Sequence, residues 1–194
     1  MKTFEQMIDG YRNFRAGDWH EERERWAELA EGQSPQVMVI SCSDSRVDPA
    51  QILDVAPGEI FVVRNVAALV PPFETTPGRH GVSAAVEFAV QFLKVKEILV
   101  MGHGLCGGCK AALTQDLHGN EIGEGGFVAH WVDMLDEARE PIAAQLGHDG
   151  QDRVDPSRRR VVRVDQQGDV FQFFFSHARS HGGAMGEAQV RRRV

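Results

Sequence analysis

Three short apolar runs constrain this chain more than any other feature: Val37-Met38-Val39-Ile40, Ile60-Phe61-Val62-Val63 and Ile98-Leu99-Val100-Met101. Each is long enough for a strand buried on both faces. Pro35 precedes the first run, and a Pro57-Gly58 turn signal leads into the second. Between the second and third, Val82, Ala85, Val86, Ala89, Val90 and Leu93 recur at helical spacing, which predicts a helix within 81–95. Strand and helix alternate, so the expected class is α/β: a mostly parallel central β-sheet flanked by helices.

Further helical signals flank this core. Phe4, Met7, Ile8, Tyr11 and Phe14 predict one or two amphipathic helices over 4–31. Val128, Trp131, Val132, Leu135, Ile142 and Leu146 predict a helix over 127–146. A chain of 194 residues suffices for one well-buried domain. We expect that domain to occupy residues 1–150, with a helical arm over about 1–31, and residues 151–194 to form a divergent, poorly ordered tail of the same domain. Past residue 150 the acidic balance turns basic, and every cation there is arginine.

The chemistry gathers where the strands end. Cys42-Ser43-Asp44-Ser45-Arg46 follows the first run and His103-Gly104-Leu105-Cys106 follows the third. Open α/β sheets collect ligands outside the carboxyl ends of their strands, so two motifs far apart in sequence can meet there. Together they offer two thiolates and an imidazole, a zinc-ligand set that leaves one position free. Gly107 to Leu113 reads as a helix start whose positive end favours the Cys106 thiolate. Three cysteines cannot all pair within one chain, and their placement beside His and Asp suits metal better than disulfides, which points to a reducing, cytoplasmic setting.

Asp44 and Arg46, two residues apart, face the same way in an extended segment. A guanidinium grips a carboxylate through two parallel hydrogen bonds, and an Asp held so stays ionised and only accepts. It would orient a nucleophile beside the metal; released, it could instead take the fourth position on zinc. Taken alone, the pair would be a surface ion pair worth under about 1 kcal/mol.

Other classes are disfavoured. A net charge of −7 argues against a nucleic-acid surface. No apolar run approaches the roughly 18 residues of a membrane span, and residues 1–7 read as neither signal nor transit peptide. None of His20, His80, His118 or His130 is marked by spacing as a proton carrier, and Cys109 reads as a small packed hydrophobe.

At these residues the chain resembles a β-class carbonic anhydrase of the plant type, whose motifs are Cys-x-Asp-x-Arg and His-x-x-Cys. The likeness continues through Arg64-Asn65-Val66-Ala67, Val70-Pro71-Pro72, His80-Gly81 to Val90, and Gly102 to Gly108. It implies one Zn2+ per chain held by Cys42, His103 and Cys106, with Asp44 as the carboxylate that ligates zinc in a closed form. Asp44 and Arg46 are then the catalytic dyad. The implied reaction is reversible hydration of carbon dioxide to bicarbonate and a proton, through a zinc-bound hydroxide, with activity rising with pH. Gln33, nine residues before Cys42, resembles a substrate-binding amide, and Phe61 resembles an apolar pocket wall. Phe88 stands where many members carry tyrosine, and Val39 where a bicarbonate-inhibited subtype carries tryptophan. The resemblance also implies a homodimer or dimer of dimers, with sites at the interface and N-terminal helices embracing the partner. Rival readings are a zinc hydrolase of carbonyl sulfide or carbon disulfide, and a non-catalytic zinc-binding remnant.

The resemblance covers roughly residues 30–146. Members continue into a helix carrying an Arg-Thr-Phe-Pro-like or Ser-Phe-Pro-like stretch and an edge strand resembling His-Gly-Ala-Trp-Phe-Asp. Neither follows Gln151. This implies a frameshifted or substituted C-terminus beginning between residues 147 and 165, or a divergent functional tail. Lost elements there would leave a sheet edge unpaired while sparing every zinc ligand.

Overall fold

β1 (Val37–Cys42) is the spine of the molecule, with Met38, Val39 and Ile40 at most 1% exposed. Side chains of that size each contribute about 1.5–3 kcal/mol on full burial. The computed structural model describes residues 1–146, 158–165, 170–176 and 191–192. They fall into two compact units, Met1–Ser34 and Pro35–Val194.

The first unit is helical. Its α1 (Phe4–Ala16) starts in a capping box, in which Thr3 accepts from the Gln6 backbone N–H and Gln6 accepts from the Thr3 N–H. Gly17 closes that helix by donating to the Asn13 carbonyl. A short α2 (Asp18–Glu21) and α3 (Arg23–Glu31) follow, and Phe14 meets Trp26 edge-on at 5.6 Å. The apolar stripe of α1 forms as expected, yet Phe4, Met7, Ile8 and Tyr11 are all exposed.

In the second unit the strands run in the order β2-β1-β3-β4-β5-β6. β2 (Ile60–Asn65) and β3 (Glu97–Met101) flank β1 in parallel, giving the three-stranded parallel core that the apolar runs predict. The chain leaves β1 through α4 (Pro49–Leu53) to β2 on one side. It then returns through α5 (Gly81–Glu87) and a wider turn over Phe88–Leu93 to β3 on the other. The switch in direction lies between β1 and β3, and it opens a crevice at their carboxyl ends. Cys42 ends β1 there, and His103 lies two residues beyond β3.

Met38 and Ile40 serve one face of the sheet and Val39 the other, and at the end of β1 Cys42 joins the cluster of Val39. Met38 and Ile40 pack with Ala89 and Val95, joined by Phe61 and Val63. Val39 and Cys42 pack with Val47, Ala67, Ala68, Met101 and Cys106. Behind the second face lie α6 (Gly107–Thr114), α7 (Gly126–Val132) and α8 (Asp136–Leu146). The helix expected over 127–146 is thus two, parted by a tight turn at Asp133–Leu135, and Pro141 inside α8 removes one ladder donor.

Past residue 150 the reading needs correction. β4 (Arg158–Asp165) pairs antiparallel with β3, from Glu97 opposite Asp165 to Met101 opposite Val161. The edge of β3 is therefore covered, not bare. β5 (Val170–Ser176) forms where the phenylalanine run suggested a strand, and β6 (Arg191–Arg192) pairs with it. The expectation of a poorly ordered tail falls otherwise on residues outside those described.

Candidate metal centre

Cys42, His103 and Cys106 converge so that one ligand atom from each lies within 4.8 Å of the others. The two sulfurs are 3.8 Å apart. Cys42 is 5% exposed, Cys106 6%, and the His103 side chain 3%. His103 Nδ1 lies 3.0 Å from the Gly104 carbonyl oxygen. A carbonyl only accepts, so Nδ1 carries the proton and Nε2 presents a lone pair. That Nε2 is buried with no hydrogen-bond partner. A buried orphan acceptor costs about 1–3 kcal/mol unless something meets it. A soft cation at the focus of two thiolates and an imidazole does so, and the donor set fits zinc.

The two thiols are prepared oppositely. Burial pushes the Cys42 thiol above its ordinary value, against hydrogen bonds from the Asp44 and Ala67 backbones. Cys106 falls to about 4, chiefly because the Cys109 thiol hydrogen-bonds it, with the backbones of Cys109 and Gly108 at the start of α6 helping. Cys109 is pushed up by the same contact and by burial of its sulfur, although the residue as a whole is exposed. It is not the packed hydrophobe its composition suggested.

Asp44 and Arg46 form the fork expected of them. Asp44 Oδ1 accepts from the Arg46 backbone N–H at 2.9 Å and from Nε at 2.8 Å, and Oδ2 accepts from Nη2 at 2.7 Å. These bonds hold the Asp44 carboxyl well below the usual carboxylate range, with His103 and the Arg46 charge adding smaller pulls the same way. Arg46 Nη2 also donates to the Leu105 carbonyl at 3.0 Å, tying the β1 loop to the β3 loop. Leu105 turns that carbonyl by adopting a left-handed φ of 54°, a conformation that costs a branched residue about 1–2 kcal/mol. Asp44 Oδ2 lies 3.9 Å from His103 Nε2, at the mouth of the centre.

Some of the machinery escaped the sequence reading. Arg64 on β2 donates from Nε to the Cys42 carbonyl, from Nη2 to the Asp44 carbonyl and from Nη1 to Asp48 Oδ2, at 3.0, 2.7 and 2.9 Å. Asp48 in turn caps α4 ahead of Pro49. One guanidinium therefore fixes the backbone on both sides of Ser43. The Asp48-Pro49 pair was a legible helix-start signal; nothing in the sequence assigned Arg64 its partners. Asn65 closes the next turn by bonding both ways with the Leu69 backbone.

The proposed substrate contacts are not gathered in this way. Phe61 and Phe88 meet at 5.8 Å between ring centres, and Phe88 stacks on Phe92 at 5.4 Å. Phe61 packs with Met38 and Ile40, on the face of the sheet away from Cys42 and Cys106. Within one chain neither ring joins the centre. Gln33 is exposed near the end of the first unit.

Comparison with known proteins agrees with this arrangement. The carbonic anhydrase family model matches residues 37–172, which carries the likeness past residue 146, where the motifs alone had ended it, and through β4. The chain is 37% identical over 152 residues to β carbonic anhydrase 5, chloroplastic, from Arabidopsis thaliana, covering 77% of this chain and 49% of that one. Among solved structures it resembles the β-carbonic anhydrase CcaA, at TM-score 0.67 and 32% identity over 74% of this chain and 62% of that one. It also resembles two tetrameric β-carbonic anhydrases from the ascomycete Sordaria macrospora, at TM-score 0.60 and 34% identity, covering 74% and 67%. The chain spans about half the length of the Arabidopsis relative. The converging cysteines and histidine, the parallel core beneath them and the matched residues place this chain in the β-class carbonic anhydrase family.

Proposed function

We propose that this chain hydrates carbon dioxide reversibly to bicarbonate and a proton, with one zinc ion held by Cys42, His103 and Cys106. The observation that carries the reading is the buried, unpartnered His103 Nε2 facing two thiols beside an Asp44 locked by Arg46. Zinc bound there would act as a Lewis acid, bringing the pKa of a water toward about 7.

The chain's own residues do the rest. Asp44 remains an obligate acceptor, so it takes a hydrogen bond from the attacking oxygen and turns a lone pair toward carbon dioxide. Arg46 keeps both carboxylate oxygens occupied, which holds Asp44 off the metal's fourth position. The tautomer set by Gly104 aims His103 Nε2 at the ion. For the substrate we assign Gln33 as amide donor and Phe61 and Phe88 as apolar wall. Since both rings lie on the far face of the sheet, that wall would be supplied by a second copy. The exposed Phe88, Val90 and Phe92 support such a pairing into a dimer or dimer of dimers. Three free cysteines support a reducing, cytoplasmic setting. Among the described residues no helix is long and apolar enough to cross a membrane.

Stopped-flow hydration on metal-quantified protein tests the proposal. Asp44→Ala should keep its zinc and lose about 10²-fold or more in kcat. Equal rates in parent and variant would sink the assigned role. A zinc-loaded parent active only on carbonyl sulfide or carbon disulfide would replace the substrate.

A further inference from the structure

Val66, Ala67 and Ala68 form a single tight turn straight after β2, and Cys42 lies opposite Asn65, the last residue before it. Ala67 (φ 65°, ψ 9°) and Ala68 (φ 56°) both sit in the left-handed region. Two successive L-residues there are unusual, because each brings its Cβ against the following carbonyl. Strain of this kind persists only where the surroundings over-determine it, and it gathers at functional sites. Here both alanines are buried in one cluster with Cys42 and Cys106. The turn also meets the loop of each sulfur ligand. Ser43 N–H donates to the Asn65 carbonyl, and Gly108 lies against Val66 and Ala67 with no room for a Cβ.

Two fastenings hold this turn. Asn65 closes it on itself through the Leu69 backbone. Trp131 on α7 reaches it from outside, its indole Nε1 donating to the Val66 carbonyl at 2.7 Å, short for an N–H donor. We propose that Trp131 is a positioning residue for the metal centre, whose N–H holds the Val66 carbonyl and so keeps the strained 66–68 turn packed where Cys42 and Cys106 come to ligand spacing. With that carbonyl released, the alanines relax out of the left-handed region and the packing shared by both cysteines loosens. Asp44 keeps its place, because Arg46 and Arg64 hold it and the turn does not.

The inference rests on the zinc reading, and the experiment separates the two. Full-length parent, Trp131→Phe, Ala67→Gly and the double variant are compared by chelator competition for zinc and by the absorption spectrum of bound cobalt(II). Trp131→Phe keeps a ring and loses the N–H. It should hold zinc about 10- to 100-fold more weakly, with shifted cobalt bands that a loss of stability alone would not produce. In the Ala67→Gly background the same substitution should cost less, because glycine takes a positive φ freely and the turn no longer needs an outside hold. Unchanged zinc affinity and cobalt bands in Trp131→Phe would overturn the inference, as would an equal loss in both backgrounds. If Trp131→Phe does not fold, the double variant decides: zinc binding equal to that of Ala67→Gly supports the inference, and a failure to fold or a weaker hold overturns it. A parent that takes up neither metal overturns the zinc reading instead. Amide exchange at 67–68 in the metal-free chains then still tests the hold: faster exchange in Trp131→Phe supports it, and equal exchange overturns it.

Discussion

The loop after β1 and the loop after β3 deliver ligands to the same point by different means. The first is built from side chains. Arg64 reaches across from the neighbouring strand to hold the Cys42 and Asp44 carbonyls, Asp48 anchors Arg64, and Arg46 holds Asp44. The second is built from backbone. His103 is set by the adjacent Gly104 carbonyl, Leu105 takes a left-handed turn, and Cys106 stands at the cap position of α6. Gly108 lets that helix start close to the 66–67 turn. A Cβ on Gly108 would lie 2.7 Å from Val66 Cγ1 and 2.9 Å from Ala67 Cβ. One half of the centre is therefore vulnerable to losing a charge, the other to gaining a methyl.

Breaking the side-chain half should cost most. Arg64→Ala leaves two carbonyls and Asp48 without their donor, and zinc affinity should fall about 10- to 100-fold, read by chelator competition. An unchanged affinity would show that the backbone half alone positions the ligands. Gly108→Ala attacks the other half by overpacking. It should lower stability by about 1–3 kcal/mol in thermal or denaturant unfolding. A neutral result would mean the 66–67 turn yields freely.

The thiols sharpen the contrast further. With Cys106 at about 4, its thiolate exists at neutral pH before metal arrives, and any stability it lends the metal-free fold is complete only above the ordinary thiol range and is lost progressively as pH falls from there to that value. Cys42, raised by burial, still holds its proton. Calorimetry of zinc uptake at pH 7.5 in buffers of different ionisation enthalpy should thus count nearer one released proton than two. Asp44 behaves as a depressed carboxyl: its contribution is complete above the ordinary carboxylate range and is lost only in strong acid. The smallest effect expected is for Leu105→Gly. The exposed leucine gives up a strained φ while the chain gains unfolded entropy, so stability should change by less than about 1 kcal/mol. A larger loss would show that the leucine side chain has a partner.

Much of this was readable because it depends on short-range pattern. The three strands followed from apolar runs, and the metal group from residue types placed at strand ends. What escaped depends on register. Cys42 lies opposite Asn65, which puts Arg64 beside the β1 loop, and no motif spells out a pairing between strands. The same limit hid β4, an Arg- and Val-rich segment whose strand character shows only once β3 offers it an edge. Cys109 was misjudged for another reason. Composition treats a cysteine as a hydrophobe, whereas its position on the first turn of α6 leaves it exposed.

The 64 residues separating Cys42 from Cys106 have a consequence for how the chain folds. His103 and Cys106 are neighbours in any conformation, so an unfolded or nascent chain can hold a metal loosely by two points. Cys42 joins them only when β1 docks against β3, a closure of long sequence separation and slow by nature. Metal captured early would act as a tether shortening that search, and tight retention would mark its end. The rate at which zinc becomes inaccessible to a chelator during refolding would then time the assembly of the sheet.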